Sequence, residues 1–410
     1  MSEDTLILVL AIDRGAGPEP LTRHRTKAAV PFGGKYRVID FTLANCLHSG
    51  LRQVLVLTQY KSHSLHKHLR DGWSIFNPEL GEFITPVPPQ MRQTQEWYAG
   101  PFDAIRQNRY LIERNRARRV LVVDGGSVYR MDYAELVRAH DETGARVTMA
   151  VRAVRGLGSS TQVGVTLDER DRVAGILPPR EEKRERDVES AAEDEEHFEA
   201  MGVYLFDKAF LMAELDRIEC GSIPDRDLAL DIVAPLAAEQ SVFGYRFGQA
   251  RGRVTPDGYW CDLSTLDAYY QANMQLLRAE PPLDLYQADW NILTYQGQYP
   301  PARTVPGAVT GNEGVFVNSM LAAGTVISGG GVNHSILYPR VQVGDGAIVE
   351  ASILFDGVRV GEGAHLNRCI VEKDVVIPPR EQIGFDARLD RERFTLSEDG
   401  IVVVSRGAWE

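Results

Sequence analysis

Short aliphatic runs with little polar alternation punctuate the first two thirds of the chain. They are LILVLA (6–11), QVLVLT (53–58), RVLVVD (119–124), RVTMAVRAV (146–154) and AMGVYLFD (200–207). Runs of this length, rich in Val, Ile and Leu, predict strands covered on both faces. Helix-like stretches lie between them at 36–49, 62–70, 103–116 and 132–142. Strand and helix in alternation imply an α/β fold with a doubly wound, mostly parallel sheet. In such sheets ligands bind beyond the carboxyl ends of the strands. The stretch 6–43 falls there: a first strand, a glycine-bearing loop, a basic segment, then the turn Gly33-Gly34-Lys35 into a second strand and helix. Backbone N–H groups and a helix N-terminus in that arrangement suit a phosphate.

The texture changes twice further on. Residues 180–199 are charged with few apolar positions, which predicts a surface excursion. From about Val315, aliphatic residues recur every five or six positions: Val343, Ile348, Leu354, Val360, Leu366, Val371 and Ile377. Val343-Gly344 and Val360-Gly361 stand at turn positions. A hexapeptide period over several coils predicts a parallel β-helix in preference to an antiparallel meander. The expected division is a domain over 1–270, a connector rich in Pro, Gln and Tyr over 271–314, and the β-helix with its tail over 315–410.

Composition narrows the function. A chain of 410 residues exceeds one ordinary core. The net charge of −12 argues against a nucleic-acid binder. Arginines cluster at Arg14, Arg23 and Arg25 and again over 114–119, and such clusters read as solvated surface. Cys46, Cys220, Cys261 and Cys369 have no short paired spacing, which suits reduced thiols and a cytoplasmic setting. The apolar run 5–12 is too short for a membrane span, so no membrane partner is expected.

At this point the motifs FGGKYRVIDFTLANCLHSG (32–50), LTQYKSHSLHKHL (57–69), GWSIFN (72–77), EWYAG (96–100), YWCDLSTLDAYY (259–270), VNSML (317–321) and SEDGIVVVSR (397–406) can be taken together. In this order the chain resembles the ADP-glucose pyrophosphorylase, or glucose-1-phosphate adenylyltransferase, family over nearly its whole length. The resemblance implies a Rossmann-like nucleotidyltransferase domain followed by a left-handed parallel β-helix. It also implies allosteric tetramers of homologous subunits, and a role in glycogen synthesis. The family's reaction is attack by the phosphate of glucose 1-phosphate on the α-phosphorus of ATP, with Mg²⁺, giving ADP-glucose and pyrophosphate. Two anions must meet, so catalysis is positioning and charge neutralisation. It takes a glycine loop with an arginine, two carboxylates for Mg²⁺, and a lysine for the sugar phosphate.

By that resemblance, several of these parts have changed. The family's loop Gly-Gly-x-Gly-x-Arg corresponds to Ile12, Asp13, Arg14, Gly15, Ala16 and Gly17, followed by Pro18 and Pro20. The leading glycines and the arginine are gone, and Asp13 would repel a triphosphate. The metal motif Gly-Asp-His corresponds to Gly125, Gly126 and Ser127. Asp124 could substitute only from about 6–7 Å back along the strand, against Mg²⁺–oxygen distances of about 2.1 Å. The second metal carboxylate is kept as Asp262, for which a helix N-cap or surface role is the alternative. Pro178, Pro179 and Arg180 stand where Glu-Lys-Pro grips the sugar phosphate. Ala200 replaces a serine, and Pro101, Phe102 and Asp103 replace Thr-Ala-Asp, with Phe102 filling sugar space. Lys27 matches a phosphate-region lysine, Tyr98 and Gly164 match substrate-proximal positions, and Gln107-Asn108 keep the start of the next helix.

The losses fall on the chemistry and spare the framework. The expectation is a silent or impaired family member, with Mg²⁺ binding weakened, acting as a regulatory or structural subunit beside a catalytic paralogue. Two alternatives stand: an active enzyme rearranged around Asp124, Asp262, Arg14 and Lys27, and a sensor that binds a sugar phosphate or nucleotide without turnover.

Overall fold

The structure is a computed structural model that describes residues 4–12, 17–90, 97–154, 162–179, 197–217, 227–239, 241–249, 252–254 and 258–409. The chain forms two compact units. The first comprises Met1–Ile12, Phe41–Ser62 and Trp73–Trp260; the second comprises Asp13–Asp40, His63–Gly72 and Cys261–Glu410. Neither unit is one continuous stretch of chain.

In chain order the strands before residue 250 are β1 (Thr5–Ala11), β2 (Pro31–Phe32), β3 (Tyr36–Arg37), β4 (Gln53–Thr58), β5 (Phe83–Val87), β6 (Arg119–Asp124), β7 (Ser127–Tyr129), β8 (Val147–Val154), β9 (Gly164–Leu167), β10 (Val173–Leu177), β11 (His197–Asp207) and β12 (Val242–Arg246). The helices are α1 (Val38–His48), α2 (His63–Gly72), α3 (Pro101–Gln107), α4 (Arg109–Arg114), α5 (Tyr133–Thr143), α6 (Lys208–Arg217), α7 (Ala234–Ala238), α8 (Leu266–Met274) and α9 (Ala387–Arg393).

The first unit is built on a sheet of order β10-β9-β11-β6-β1-β4-β5, with β8 paired to β11 and β12 to β8. Its centre is parallel, with Ile7 opposite both Val54 and Leu121. Leu6, Leu8 and Leu10 join one core cluster, while Ile7 and Val9 are equally buried on the other face. Burial on both faces explains the unbroken aliphatic runs, each such side chain contributing about 1.5–3 kcal/mol. Beyond β6 the pairing turns antiparallel at β11, β9 and β10. Antiparallel neighbours need no crossover helix, so this half was not announced by helical periodicity. Pro86 sits in β5, at the sheet edge where a missing N–H is tolerated.

The helix expected over 103–116 is two, α3 and α4, broken at Asn108. The Asn108 side chain donates to the Ala104 carbonyl (2.8 Å) and to the Tyr98 hydroxyl (2.8 Å), competing with the helical ladder. The helix expected from residue 36 begins at Val38, because Tyr36 and Arg37 pair with Pro31 and Phe32. Gly33 and Gly34, at φ of 61° and 75°, make that hairpin turn.

In the second unit three ribbons of short parallel strands stack coil on coil. One face runs from Arg303–Val305 through Val326–Ser328, Gln342–Val343 and Arg359–Val360 to Val376–Ile377. Val315–Val317 starts the second face and Met320–Leu321 the third. This is the parallel β-helix that the hexapeptide period predicts, consistent with a left-handed coil. Its first rung, Arg303–Val305, lies inside the span assigned above to the connector. Val343, Leu354, Val360, Leu366, Val371 and Ile377 fill its core; Ile348 instead faces outward and Val349 takes the inner place. One corner is tied by a hydroxyl ladder: Ser335 N–H donates to Ser319 Oγ, Ser352 N–H to Ser335 Oγ, and Cys369 N–H to Ser352 Oγ.

The inserted segments belong to this unit by direct bonds. Tyr269 Oη donates to the Pro31 carbonyl (2.6 Å), Gly33 N–H to Asn273 Oδ1 (2.9 Å), and Tyr270 Oη to the Ala351 carbonyl (2.6 Å). Arg25 does not lie on solvated surface: it pairs with the buried Glu372 at 3.4 Å, and burial pulls its pKa down. Of the charged stretch 180–199, residues 180–196 lie outside the described residues, as does Cys220; His197–Glu199 are not a surface excursion but the start of β11.

Candidate functional site

In the first unit, Ile12 directly follows β1 and is buried in the core, its carbonyl accepting from Gln59 Nε2 at 2.7 Å. Asp13, Arg14, Gly15, Ala16 and Arg180 lie outside the described residues; Gly17 is described and belongs to the second unit.

At the carboxyl end of β6 the chain turns through Gly125, Gly126 and Ser127. Gly125 N–H donates to the Leu10 carbonyl at 2.9 Å, and a Cβ there would come within 3.0 Å of Val9 Cγ1. The Asp124 carboxylate folds back into this turn. Its Oδ1 accepts from the Gly126 N–H (3.1 Å) and its Oδ2 from the Ser127 hydroxyl (2.8 Å). Gly202, at φ +71°, passes close by: a Cβ there would lie 3.1 Å from Asp124 Cβ.

Tyr98, Phe102, Asp103, Gln107 and Asn108 form one buried group. Asp103 Oδ2 accepts from Ala99 N–H (3.0 Å) and Gln107 Nε2 (2.7 Å), and Oδ1 from Arg106 Nη2 (2.8 Å). Burial raises the Tyr98 pKa. Phe102, expected in sugar space, is a core residue beside them.

A transverse row of the sheet carries the retained Gly164 and adjoins the changed positions Ala200, Pro178 and Pro179. Arg152 on β8 is opposite Glu199 on β11, which is opposite Gly164 on β9, which is opposite Leu177 on β10. Ala200 N–H donates to the Val163 carbonyl, and Pro178 and Pro179 follow Leu177, exposed. Arg152 Nη2 donates to Glu199 Oε2 at 2.5 Å, and the Arg152 guanidinium lies 4.6 Å from the ring centre of Trp260. Sequence reasoning missed this pair: Arg152 lies in a strand-like run, but Glu199 falls in the charged stretch 180–199 expected as a surface excursion, whereas the structure places His197–Glu199 in β11.

In the second unit, Lys27 opens the short 3₁₀ turn Lys27–Ala29, and its ammonium bonds the Asp262 carboxylate. Both side chains are largely buried, 8% and 17% exposed. Asp262 is not a helix N-cap: Thr265 caps α8, its Oγ1 accepting from Ala268 N–H at 3.1 Å. Unforeseen by the sequence, His68 Nε2 meets Asp40 Oδ1 at 2.5 Å in the same unit, with Asp40 Oδ2 accepting from Arg37 N–H (2.8 Å).

Among the described residues no group of three or more His, Cys, Asp or Glu side chains is placed to hold a metal ion. No described helix is long and apolar enough to cross a membrane.

Comparison with known proteins adds the lineage. A nucleotidyl transferase family model matches residues 9–279, and a GlmU-like, C-terminal hexapeptide model matches residues 300–404. Over 402 residues, 98% of each chain, this protein is 50% identical to glucose-1-phosphate adenylyltransferase 2 of Vibrio vulnificus. It is 48% identical over 403 residues, again 98% of each chain, to the protein of that name from Vibrio cholerae. Against glucose-1-phosphate adenylyltransferase of Methylococcus capsulatus it is 38% identical over 407 residues, 99% of this chain and 94% of that one. The resemblance read from the ordered motifs is thereby established: the chain belongs to the glucose-1-phosphate adenylyltransferase family.

Proposed function

We propose that this chain is a catalytically silent member of its family, serving as a regulatory or structural subunit among homologous subunits, a catalytic paralogue included. One observation carries the reading. In the turn where the family's metal motif stands, the chain reads Gly125-Gly126-Ser127, and the adjoining Asp124 carboxylate is bonded at both oxygens to that same turn. Asp262, the kept carboxylate, is bonded to Lys27. Mg²⁺ takes carboxylate oxygens in strict octahedral geometry, and these residues fit it poorly. Removing one preorganised charge-stabilising group costs about 10²–10³ in rate, and more than one has changed here. Purified protein, given ATP, glucose 1-phosphate and Mg²⁺, should make no ADP-glucose above background. Mixed with a catalytic homologue, it should co-purify in tetramers. Turnover by the chain alone at the level of ordinary adenylyltransferases would overturn the silent reading.

A second reading, an active enzyme using a rearranged site, draws on the 48–50% identity to relatives named as adenylyltransferases. It requires that Asp262→Asn and Asp124→Asn each abolish a measurable rate.

A further inference from the structure

The Arg152–Glu199 pair has no place in the reading above, and its position gives it one. Strand β11 runs antiparallel to β6, with Val203 opposite Val123. Gly202 is level with Asp124, the last residue of β6, so residues before Gly202 extend past its carboxyl end. Glu199, and with it Arg152 and Gly164 in the same row, stands beyond the carboxyl edge of the parallel strands, where α/β sheets bind ligands.

The chemistry of the row is specific. Directly opposed residues on neighbouring strands share a face, so Arg152, Glu199 and Leu177 point the same way, and at Gly164 a Cβ would meet the Leu177 side chain at 3.4 Å. The Arg152 side chain remains 24% exposed, whereas Glu199 is 7% exposed. The guanidinium is held twice, by the Glu199 carboxylate at one edge and by the Trp260 ring on its face. Such bracing fixes the plane of a guanidinium and leaves its other donors to bind. Arg152 Nε and Trp260 Nε1 are sealed from solvent without a hydrogen-bond partner among the described residues, so the donors open to a ligand are those on the exposed part of the guanidinium.

We infer that Arg152, braced by Glu199 and Trp260, is an anion-holding residue that takes the phosphate of a phosphomonoester at this edge. It supplies a fixed cation in the same transverse row as Leu177, after which the exposed Pro178-Pro179 offers none. A planar fork donates to two phosphate oxygens at once, which suits a monoester dianion. Glu199 sets the strength of the site: it fixes the guanidinium and cancels part of its charge. The inference extends the silent reading, since it gives the chain a ligand without requiring turnover.

Calorimetric titration of the full-length protein with glucose 1-phosphate, inorganic phosphate and ATP tests it. The wild type should bind glucose 1-phosphate. Arg152→Met should weaken that binding tenfold or more, and Arg152→Lys, which keeps the charge without the fork, should weaken it several-fold. Glu199→Gln keeps an acceptor for Arg152 but removes a nearby negative charge, and should tighten binding, on the order of tenfold. A merely structural ion pair would give no such gain, so unchanged or weaker binding in Glu199→Gln overturns the inference. So does unchanged affinity in Arg152→Met or, if that variant fails to fold by thermal unfolding, in Arg152→Lys. Absence of any sugar-phosphate or phosphate binding, with or without ATP binding, also overturns it. ADP-glucose synthesis by the wild type would remove the silent reading and leave this assignment standing; absence of binding would do the reverse.

Discussion

Lys27→Met isolates what the retained Lys27–Asp262 pair does. The ammonium and the carboxylate are in contact with 8% and 17% of their side chains exposed. Neither group is replaced by water at low cost. Removing one partner of a sealed ion pair costs about 3–5 kcal/mol, because the other charge stays largely buried after losing its opposite. Asp262 keeps some access to solvent, which screens the residual charge, so the expected loss is about 2–4 kcal/mol. Asp262→Asn should lose a similar amount. In Lys27→Met/Asp262→Asn neither charge remains, and the double variant should recover about 1–3 kcal/mol relative to the sum of the singles. Urea unfolding of the full-length protein at fixed pH, followed through midpoint and slope, measures all three. A single-variant loss below about 0.5 kcal/mol, or strict additivity in the double, would refute the reasoning. On the silent reading none of the three changes ADP-glucose synthesis, which is at background already. The pair is then a strut that survived because the fold needs it.

The other predictions concern single interactions. Ser127→Ala removes one of the two bonds on the Asp124 carboxylate and should cost about 1–2 kcal/mol in chemical denaturation. Asp345, on the β-helix, accepts from the Thr310 hydroxyl and from the N–H groups of Thr310 (2.9 Å) and Val309 (2.8 Å), which hold its carboxyl below the usual range. A lowered folded-state pKa means a contribution complete above about pH 4 and lost as the pH falls through the lower folded value. Asp345→Asn should therefore flatten the acid limb of a plot of thermal midpoint against pH between 2 and 5; an unchanged limb counts against the assignment. Burial pushes the Cys369 thiol up to about 12 and Cys46 higher still, while Cys261 is half-buried. Thiolate is the reactive form, so mass spectrometry after native alkylation should find label on Cys261 well before Cys46 or Cys369.

Much of the architecture was legible because it rests on periodicity. A strand buried on both faces must be aliphatic throughout, as β1, β4 and β6 are, and a coil of short stacked strands must repeat its inward residue. Pattern failed where side chains compete with the backbone. Asn108 breaks a helix through its own amide, and Tyr36-Arg37 pair as a strand because Gly33 and Gly34 permit the turn before them. Register is likewise invisible to composition. Ile348 has the right spacing for the β-helix core and the wrong facing, since one residue along a strand reverses the side.

The candidate site was legible in a different way, through what had changed, and the structure gives those changes a physical form. Asp124 could be read only as a carboxylate too far back to replace a missing one; its bonds to Gly126 and Ser127 make it the hub of its own turn. Ser127 supplies the hydroxyl that holds it. On the silent reading that loop does more than lack a metal carboxylate, because it engages the neighbouring one. The Arg152–Glu199 pair belongs to the same argument with the opposite sign. Its two charges lie far apart in sequence, on strands whose alignment shifts between Ala200 and Tyr204, so no local motif joins them. A chain that merely decayed would gain nothing by fixing a guanidinium against an indole at the ligand-binding edge. Loss of the reaction and retention of a ligand are separable, and the Glu199→Gln titration separates them, because only a site that holds an anion grows stronger when its own carboxylate is neutralised.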